Sequence, residues 1–328
     1  MLKHFYFYHS PSLCPWYNLA LEEYVLTHLE PDTCVLYLYQ NENTVVIGKN
    51  QNAWKECRHA LLESEGGKLA RRISGGGAVY HDMGNLNFSF IVDRSQYDLH
   101  RQLGVILDAV HALGVHAEFS GRNDILSEGA KFSGNAFCYK KNAAFHHGTI
   151  LIDVDMTKLS RYLSVSKDKI VSKGVESVRA RVCNLKERNP MITVESMCGA
   201  LRDSFEKDYG PCRPLEIADR EAIATIEQRN ASWEWRLGRT PCFDIETGAR
   251  FDWGHADFVF ALKDGIITDA HVYSDAMDAD FIETLPGALI GSAFRSRCMA
   301  DRLTVLDGSP EQQQIARDIA GFLLKKAY

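Results

Sequence analysis

No stretch of this 328-residue sequence is apolar enough, for long enough, to span a bilayer, so no membrane partner is expected. The opening run MLKHFYFYHSPSLCPWYN lacks the apolar core and cleavage site of a signal peptide, and Met1 is expected to be the mature start. Nine cysteines occur without a C-x-x-C pair or framework spacing, which points to reduced, mostly buried thiols and a cytoplasmic protein. Basic excess is missing: 37 Lys+Arg against 43 Asp+Glu give a net charge of −6, and nucleic acid is not expected as a partner. Zinc spacings such as H-E-x-x-H are absent, as are the G-x-S-x-G of serine hydrolases and the G-x-x-x-x-G-K-[ST] of phosphate loops. No internal repeat or low-complexity tract is present.

What is there is ordinary globular material, 45% hydrophobic and 24% charged, long enough for a large core and more than one domain. CPWYNLALEEYVL predicts a helix opened by Pro15, with Tyr17, Leu21, Tyr24 and Val25 on one face. CVLYLY and TVVIG predict strands separated by the polar turn QNEN. NLNFSFIV alternates, with Leu86, Phe88 and Phe90 on one side. A helix is expected near residues 97–113, its buried face formed by Leu103, Ile106, Leu107, Val110 and Leu113. Strand-like pieces follow at VHAEF, NDILS, AKFSGNAFCY and HHGTILIDV. Residues 166–189 hold seven Lys/Arg against three Asp/Glu with weak periodicity and are expected to be a mobile basic surface segment. Helices resume at TVESMCGALRDSFEKDYG and ADREAIATIEQRN, and WEWRLGRTPCF reads as a boundary. Beyond it, a hairpin turning at residues 263–265 precedes two or three helices, the last opened by Ser309 and Pro310. Many strands with few intervening helices predict an α+β sheet domain rather than a doubly wound parallel one. The domains are expected at 1–240 and 241–328.

Three stretches carry chemistry. In RRISGGGAVYHD, residues 71–82, three glycines without Cβ atoms let a ligand approach the backbone, and Arg72 beside them can grip a carboxylate or phosphate. An anionic ligand is implied, although three glycines also suit a flexible loop. In GRNDILSEGAKFSGNAF, residues 121–137, Lys131 is flanked by the small Ser133 and Gly134. Asn123 and Asp124 can lie on a neighbouring strand, where the carboxylate would hold the ammonium or meet a metal–phosphate pair. A solvated surface lysine is the plainer alternative. In HHGTILIDV, His146 and His147 are adjacent and point to opposite faces of a strand, so they form no two-histidine metal clamp.

These blocks stand in one order with PWYNLALEE, TVVIGKNQNAWKE, FHHGTILIDVDMTKLSRYL, SKGVESVRARVCNL and SWEWRLGRTP. Over nearly the whole chain they resemble lipoate–protein ligases of the A type. The resemblance implies a biotin/lipoate–protein ligase-like catalytic sheet domain followed by a small C-terminal α+β domain. It implies an ATP-dependent, AMP-forming enzyme, working with Mg²⁺, that activates lipoate to lipoyl-AMP. The acceptors would be lysines of apo lipoyl domains in 2-oxoacid dehydrogenase complexes and of the glycine cleavage H protein.

By the same resemblance Lys131 is catalytic, contacting the acyl carbonyl and the α-phosphate. ATP would meet Arg72, Gly77, Ala78, Val79, Tyr80, Asn123, Asp124, Lys173, Arg179 and Arg181. Lipoate would meet Arg72, Ser74, Gly75, Gly76, Gly77, His81, Lys131, Ser133, Gly134, His147 and Gly148, with Leu19, Tyr39 and Val79 placed for its apolar tail. Asp82 would line the site with His81. The metal ligands stay open, and a monomer is expected. The competing reading is an octanoyl- or lipoyl-transferase on the same fold, which passes the acyl group through a cysteine. The interval ILSEGA before Lys131 has none, leaving Cys138 as the residue to watch. A non-catalytic lipoyl-domain-binding protein is the other alternative.

Overall fold

The computed structural model describes residues 2–120, 124–163, 182–237, 244–263 and 265–326. Contacts divide the chain into two compact units. The first comprises Met1–Ile47, Ala53–Arg72 and Ala78–Arg236. The second comprises Leu237–Tyr328 together with two short excursions, Gly48–Asn52 and Ile73–Gly77.

The first unit runs β1 (His4–His9), α1 (Pro15–Thr27), β2 (Thr33–Tyr39), β3 (Thr44–Ile47), α2 (Ala53–Glu56), α3 (His59–Ser64), β4 (Lys68–Arg71), β5 (Val79–His81) and β6 (Asn85–Asp93). It continues through α4 (Leu99–Ala112), β7 (Glu118–Ser120), β8 (Asp124–Ser127), β9 (Ala130–Tyr139), β10 (Ala143–Leu151) and α5 (Met156–Tyr162). It closes with α6 (Val194–Tyr209), β11 (Arg213–Pro214), α7 (Arg220–Ala231) and α8 (Trp233–Arg236). Eight strands form one sheet in the order β11-β1-β2-β6-β10-β9-β8-β7, and β4-β3-β5 form a second. Although β2 and β3 are neighbours in sequence, they belong to different sheets.

One face of the large sheet is the main core. Leu36, Leu38, Leu86, Phe88, Phe90 and Phe132 pack there with Leu103 and Ile106 of α4 and Leu201 and Phe205 of α6. The α4 helix starts where Asp98 accepts from the Arg101 amide, and α6 where Thr193 and Ser196 form a reciprocal cap. The helix expected near 97–113 is therefore two residues shorter at its start, cut by that cap.

The other face carries α1, which packs on β6 and β10 on one side and on β4 and α7 on the other. This is why the expected one-sided face of α1 is not what the structure shows. Asn18, Leu19, Leu21, Glu22, Val25 and Leu26 are buried, while Tyr17 and Tyr24 are only half-buried. Pro15 occupies the first turn, where its missing N–H costs nothing.

The expectation of a mobile basic segment at 166–189 meets a correction at its end. Residues 164–181 lie outside the described residues, but Cys183 and Leu185 are buried, and the Cys183 amide donates to the Lys131 carbonyl at 2.9 Å. Two apolar side chains and a strand-like bridge, Lys131 to Val182, draw this end into the sheet.

The second unit is an antiparallel sheet, β12 (Ile245–Phe251), β13 (Gly254–Lys263) and β14 (Ile266–Ser274), with α9 (Ala279–Leu289), α10 (Ser296–Thr304) and α11 (Pro310–Lys326). Phe258, Phe260, Leu285, Leu303 and Ile319 form its core. The α11 helix begins as the sequence predicts, with Ser309 accepting from the Gln312 amide.

Candidate functional site

The polar face of the large sheet lies under α1. Strand alternation sends Leu86 and Phe88 of β6 into the core and Asn85, Asn87 and Ser89 to the opposite face, yet all are buried. In register beside them stand Tyr37 and Tyr39 of β2 and His147 and Thr149 of β10. His147 holds Glu22 of α1 through Nδ1 at 3.0 Å, and that carboxylate is 1% exposed. His146 turns to the core, against Phe88 and Phe90, with Nε2 2.8 Å from Asn135 Oδ1. Burial pulls the His146 pKa down to about 3.

Lys131 reaches the same polar face because β9 is irregular. Lys131 and Gly134 are three residues apart, and a regular strand would put them on opposite sides. A bulge at Phe132 resets the alternation: Leu126 pairs with Lys131, but Ile125 pairs with Ser133 and Asp124 with Gly134. The Lys131 chain then folds over Gly134 and sets its ammonium 2.7 Å from Asp124. A Cβ on Gly134 would stand 2.9 Å from both Cε and Nζ of Lys131. Both partners are about one-third exposed, 33% and 38%, so this ammonium can meet a ligand from solvent. Coupling in water is weak, and the pair's value lies in orientation.

Arg72 follows the small sheet's edge strand. It is 6% exposed, with its amide bonded to Ile47 O at 3.0 Å and Nη1 3.3 Å from Val46 O. Burial lowers its pKa to about 10, opposed by Tyr39 and Glu22, and the guanidinium stays charged at neutral pH. The strand before it is clamped. Trp16 and Trp235 donate their indole N–H to Leu69 O and Arg71 O, 3.0 and 2.9 Å, on the free edge of β4. Arg71 in turn donates to Trp235 O and Arg236 O, at 2.8 and 2.9 Å, capping α8. Val79 packs on Leu19, Val46 and Ala70. His81, 3% exposed, contacts Asn41 at 3.1 Å, and burial followed by the nearby Arg72 and His147 lowers its pKa to about 3.

The glycine stretch belongs to the second unit. The Gly76 amide bonds to Ala276 O at 3.2 Å, and Lys49 N to Ser74 O at 2.9 Å. A Cβ on Gly75 would lie 2.1 Å from Ala276 O and 2.6 Å from Met277 O. Gly76 takes φ +87°, where a side chain is strained. Gly77 has open space at its Cβ position. Close backbone approach calls for glycine at Gly75 and a left-handed φ at Gly76, whereas Gly77 shows neither constraint.

Comparison with known families decides what this arrangement belongs to. Residues 14–206 match the family described as Lipoyl protein ligase A/B catalytic domain, and residues 240–319 match Bacterial lipoate protein ligase C-terminus. The chain belongs to the lipoate–protein ligase family. Among solved structures it is similar to LipL1 of P. falciparum in complex with lipoate, 28% identical with TM-score 0.84, covering 98% of this chain and 99% of that one. A lipoate-protein ligase A bound with ATP is 25% identical with TM-score 0.62, covering 73% of this chain and 99% of its own. A bi-partite lipoate protein ligase from T. acidophilum, studied with its E2 lipoyl domain, is 26% identical with TM-score 0.63, covering 75% and 100%.

Within this lipoate–protein ligase framework, the residues singled out in the sequence separate into groups. Arg72, Val79, His81, Leu19, Tyr39, Asp124, Lys131, Gly134 and His147 all belong to the first unit and lie on or beside the faces that meet α1. Ser74, Gly75, Gly76 and Gly77 cluster with the second unit. Tyr80 points away from His81 along β5, bonding Asn43 at 3.1 Å, so only its backbone faces with its neighbours. Ser133 pairs with Ile125 toward the core. Gly148 lies on that core face too, where a Cβ would meet Phe88 Cζ at 2.7 Å. Asp82 accepts from the Gly84 and Asp155 amides, 2.8 and 2.9 Å, and holds a turn. Asn123, Lys173, Arg179 and Arg181 lie outside the described residues. Sequence reasoning missed Glu22, Asn18, Asn41 and the two tryptophans. Polar residues at Asn18 and Glu22, one turn apart among leucines in NLALEE, were the available signal.

Among the described residues, no three His, Cys, Asp or Glu gather to hold a metal. Asp124 is the carboxylate paired with Lys131. No described helix is long and apolar enough to cross a membrane.

Proposed function

We propose that this chain is an ATP-dependent, AMP-forming lipoate–protein ligase. The observation that carries this reading is the Lys131 ammonium, set 2.7 Å from Asp124 over Gly134 in a chain of this family. Relatives crystallised with lipoate and with ATP support lipoate and ATP as substrates. The lipoate carboxylate, oriented by Arg72, attacks the α-phosphate of ATP, forming lipoyl-AMP and releasing pyrophosphate. Lys131 stabilises the charge that builds at phosphorus. Ala78, Val79 and the Tyr80 backbone border the nucleotide, and Asp124 would hold a Mg²⁺ ion brought by ATP, whose charge would offset that of the phosphates.

In the second step a deprotonated acceptor lysine amine attacks the mixed anhydride carbonyl. The amide bond forms as the attacking nitrogen gives up a proton to solvent, the acyl–phosphate bond breaks, and AMP leaves with the electron pair, while Lys131 polarises the carbonyl. The T. acidophilum ligase and its E2 lipoyl domain support lipoyl domains as acceptors, here of 2-oxoacid dehydrogenases and the glycine cleavage H protein. We place the catalytic part at 1–240 and an accessory part at 241–328, in a cytoplasmic monomer.

The cysteines favour the ligase over the transferase. Cys138 shares the polar face but stands four residues beyond Gly134, about 13 Å along the strand. Burial raises the thiol pKa of Cys183, beside Lys131, which opposes thiolate formation.

The test is lipoate-dependent pyrophosphate release from ATP and Mg²⁺, first alone and then with an apo lipoyl domain followed by mass spectrometry. Release followed by a lipoyl mass gain on the acceptor is expected. Acyl transfer from a carrier without pyrophosphate release overturns the reading. Lys131→Ala is expected to slow both steps by about 10²-fold or more; near-normal rates in both remove Lys131 from the mechanism.

A further inference from the structure

Asn18 is fully buried in α1, and its two amide ends can be told apart. Nδ2 lies 2.9 Å from Ser12 O and 3.0 Å from Gln40 O, main-chain carbonyls that can only accept. Oδ1 receives the Ser10 and Tyr37 hydroxyls at 2.7 and 3.2 Å. Nδ2 has two hydrogens for three neighbours and shares one of them; the third neighbour, Asn41 at 2.9 Å, must present its Oδ1 there, because its own NH2 would set donor against donor. Its Nδ2 is thereby turned to His81 Nδ1, 3.1 Å away. An amide nitrogen donates and does not accept, so Nδ1 must carry a lone pair. A neutral ring then has its proton on Nε2, which is buried and has no protein partner among the described residues.

We infer that Asn18 and Asn41 are positioning residues that fix His81 as its Nε2–H tautomer, a neutral donor for a carboxylate oxygen of the acid substrate held near Arg72. Neutrality matters there: a second cation beside the buried guanidinium would repel it, whereas an N–H adds a hydrogen bond without charge. Burial and the same guanidinium keep the ring unprotonated. The identity of the acid rests on the lipoate reading; the tautomer does not.

The test is a long-range ¹H–¹⁵N correlation spectrum of the full chain labelled with ¹⁵N-histidine, with His81 assigned through His81→Gln. A pyrrole-type Nε2 and a pyridine-type Nδ1 at pH 7 are expected. The reverse pattern, tautomer averaging or a doubly protonated ring overturns the relay. Asn41→Asp replaces the donor by an acceptor and should move the proton to Nδ1; an unchanged pattern removes Asn41 from the role. If that variant does not fold, Asn41→Leu should release the ring to mix tautomers, and a retained single tautomer counts against the relay.

Lipoate should then shift the Nε2 resonance. His81→Gln, which can carry an amide N–H to the Nε2 position, should bind lipoate about tenfold more tightly than His81→Asn, which cannot. Lipoate-dependent pyrophosphate release with an unmoved Nε2 resonance overturns the donor role. Absence of that release overturns the substrate reading, and the spectrum of the free protein still decides the relay.

Discussion

Replacing Gly134 by alanine should separate catalysis from stability. The new Cβ would stand 2.9 Å from Cε and Nζ of Lys131, against an ordinary contact distance of 3.4–4 Å. What must move is the far end of a flexible side chain, so the ammonium shifts by about 0.5 Å or more without disturbing the sheet. The ion pair it leaves, with partners 33% and 38% exposed, contributes at most ~1 kcal/mol. Alanine also loses less backbone entropy than glycine in a strand, an opposing gain of ~0.5–1 kcal/mol. The net stability change is expected within ~1 kcal/mol.

Catalysis has no such compensation. Electrostatic stabilisation depends on where the charge stands when the five-coordinate phosphorus forms, and a displacement near 1 Å costs ~10²-fold. The assay is lipoate-dependent pyrophosphate release beside a thermal unfolding curve. A pyrophosphate rate within twofold of the parent at unchanged Tm would refute the placement of Lys131. So would a loss of activity fully explained by unfolding. Gly148→Ala is the control on the opposite face: its Cβ meets Gly134 O and Phe88 Cζ at 2.7 Å, neither able to swing aside, and the expected outcome is lost stability.

Two further outcomes follow from the same packing. Gly75→Ala should destabilise the second unit by more than ~2 kcal/mol, because backbone oxygens block its Cβ, whereas Gly77→Ala should leave unfolding unchanged; equal Tm values for both would contradict the packing of this loop. His81 and His146, held neutral with pKa values near 3, bind protons in the unfolded chain before the native one. Stability should therefore fall as pH drops from about 6.5 toward 3, by up to ~1.4 kcal/mol per unit for each histidine, and urea midpoints that stay flat between pH 7 and 5 would count against their burial.

What could be read from the sequence was governed by period. The alternation of β6 correctly sends Leu86, Phe88 and Phe90 to the core, and the adjacency of His146 and His147 correctly sends them to opposite faces. The same rule misleads around Lys131, where an odd spacing from Gly134 implies opposite faces and only the extra residue at Phe132 reconciles them. A bulge has no composition of its own, so the ion pair with Asp124 could be suggested but not placed. Helix α1 fails for a related reason. A one-faced pattern assumes one packing partner, and α1 has a sheet on each side, so Asn18 and Glu22 are buried by neighbours far away in sequence. Their polarity is tolerated because each is bonded, Glu22 to His147 and Asn18 through both ends of its amide. A buried polar residue on an otherwise leucine-rich helix therefore signals a facing group that needs orienting. Here those groups are two histidines, His147 directly and His81 through Asn41, beside the arginine that the glycine motif had already singled out.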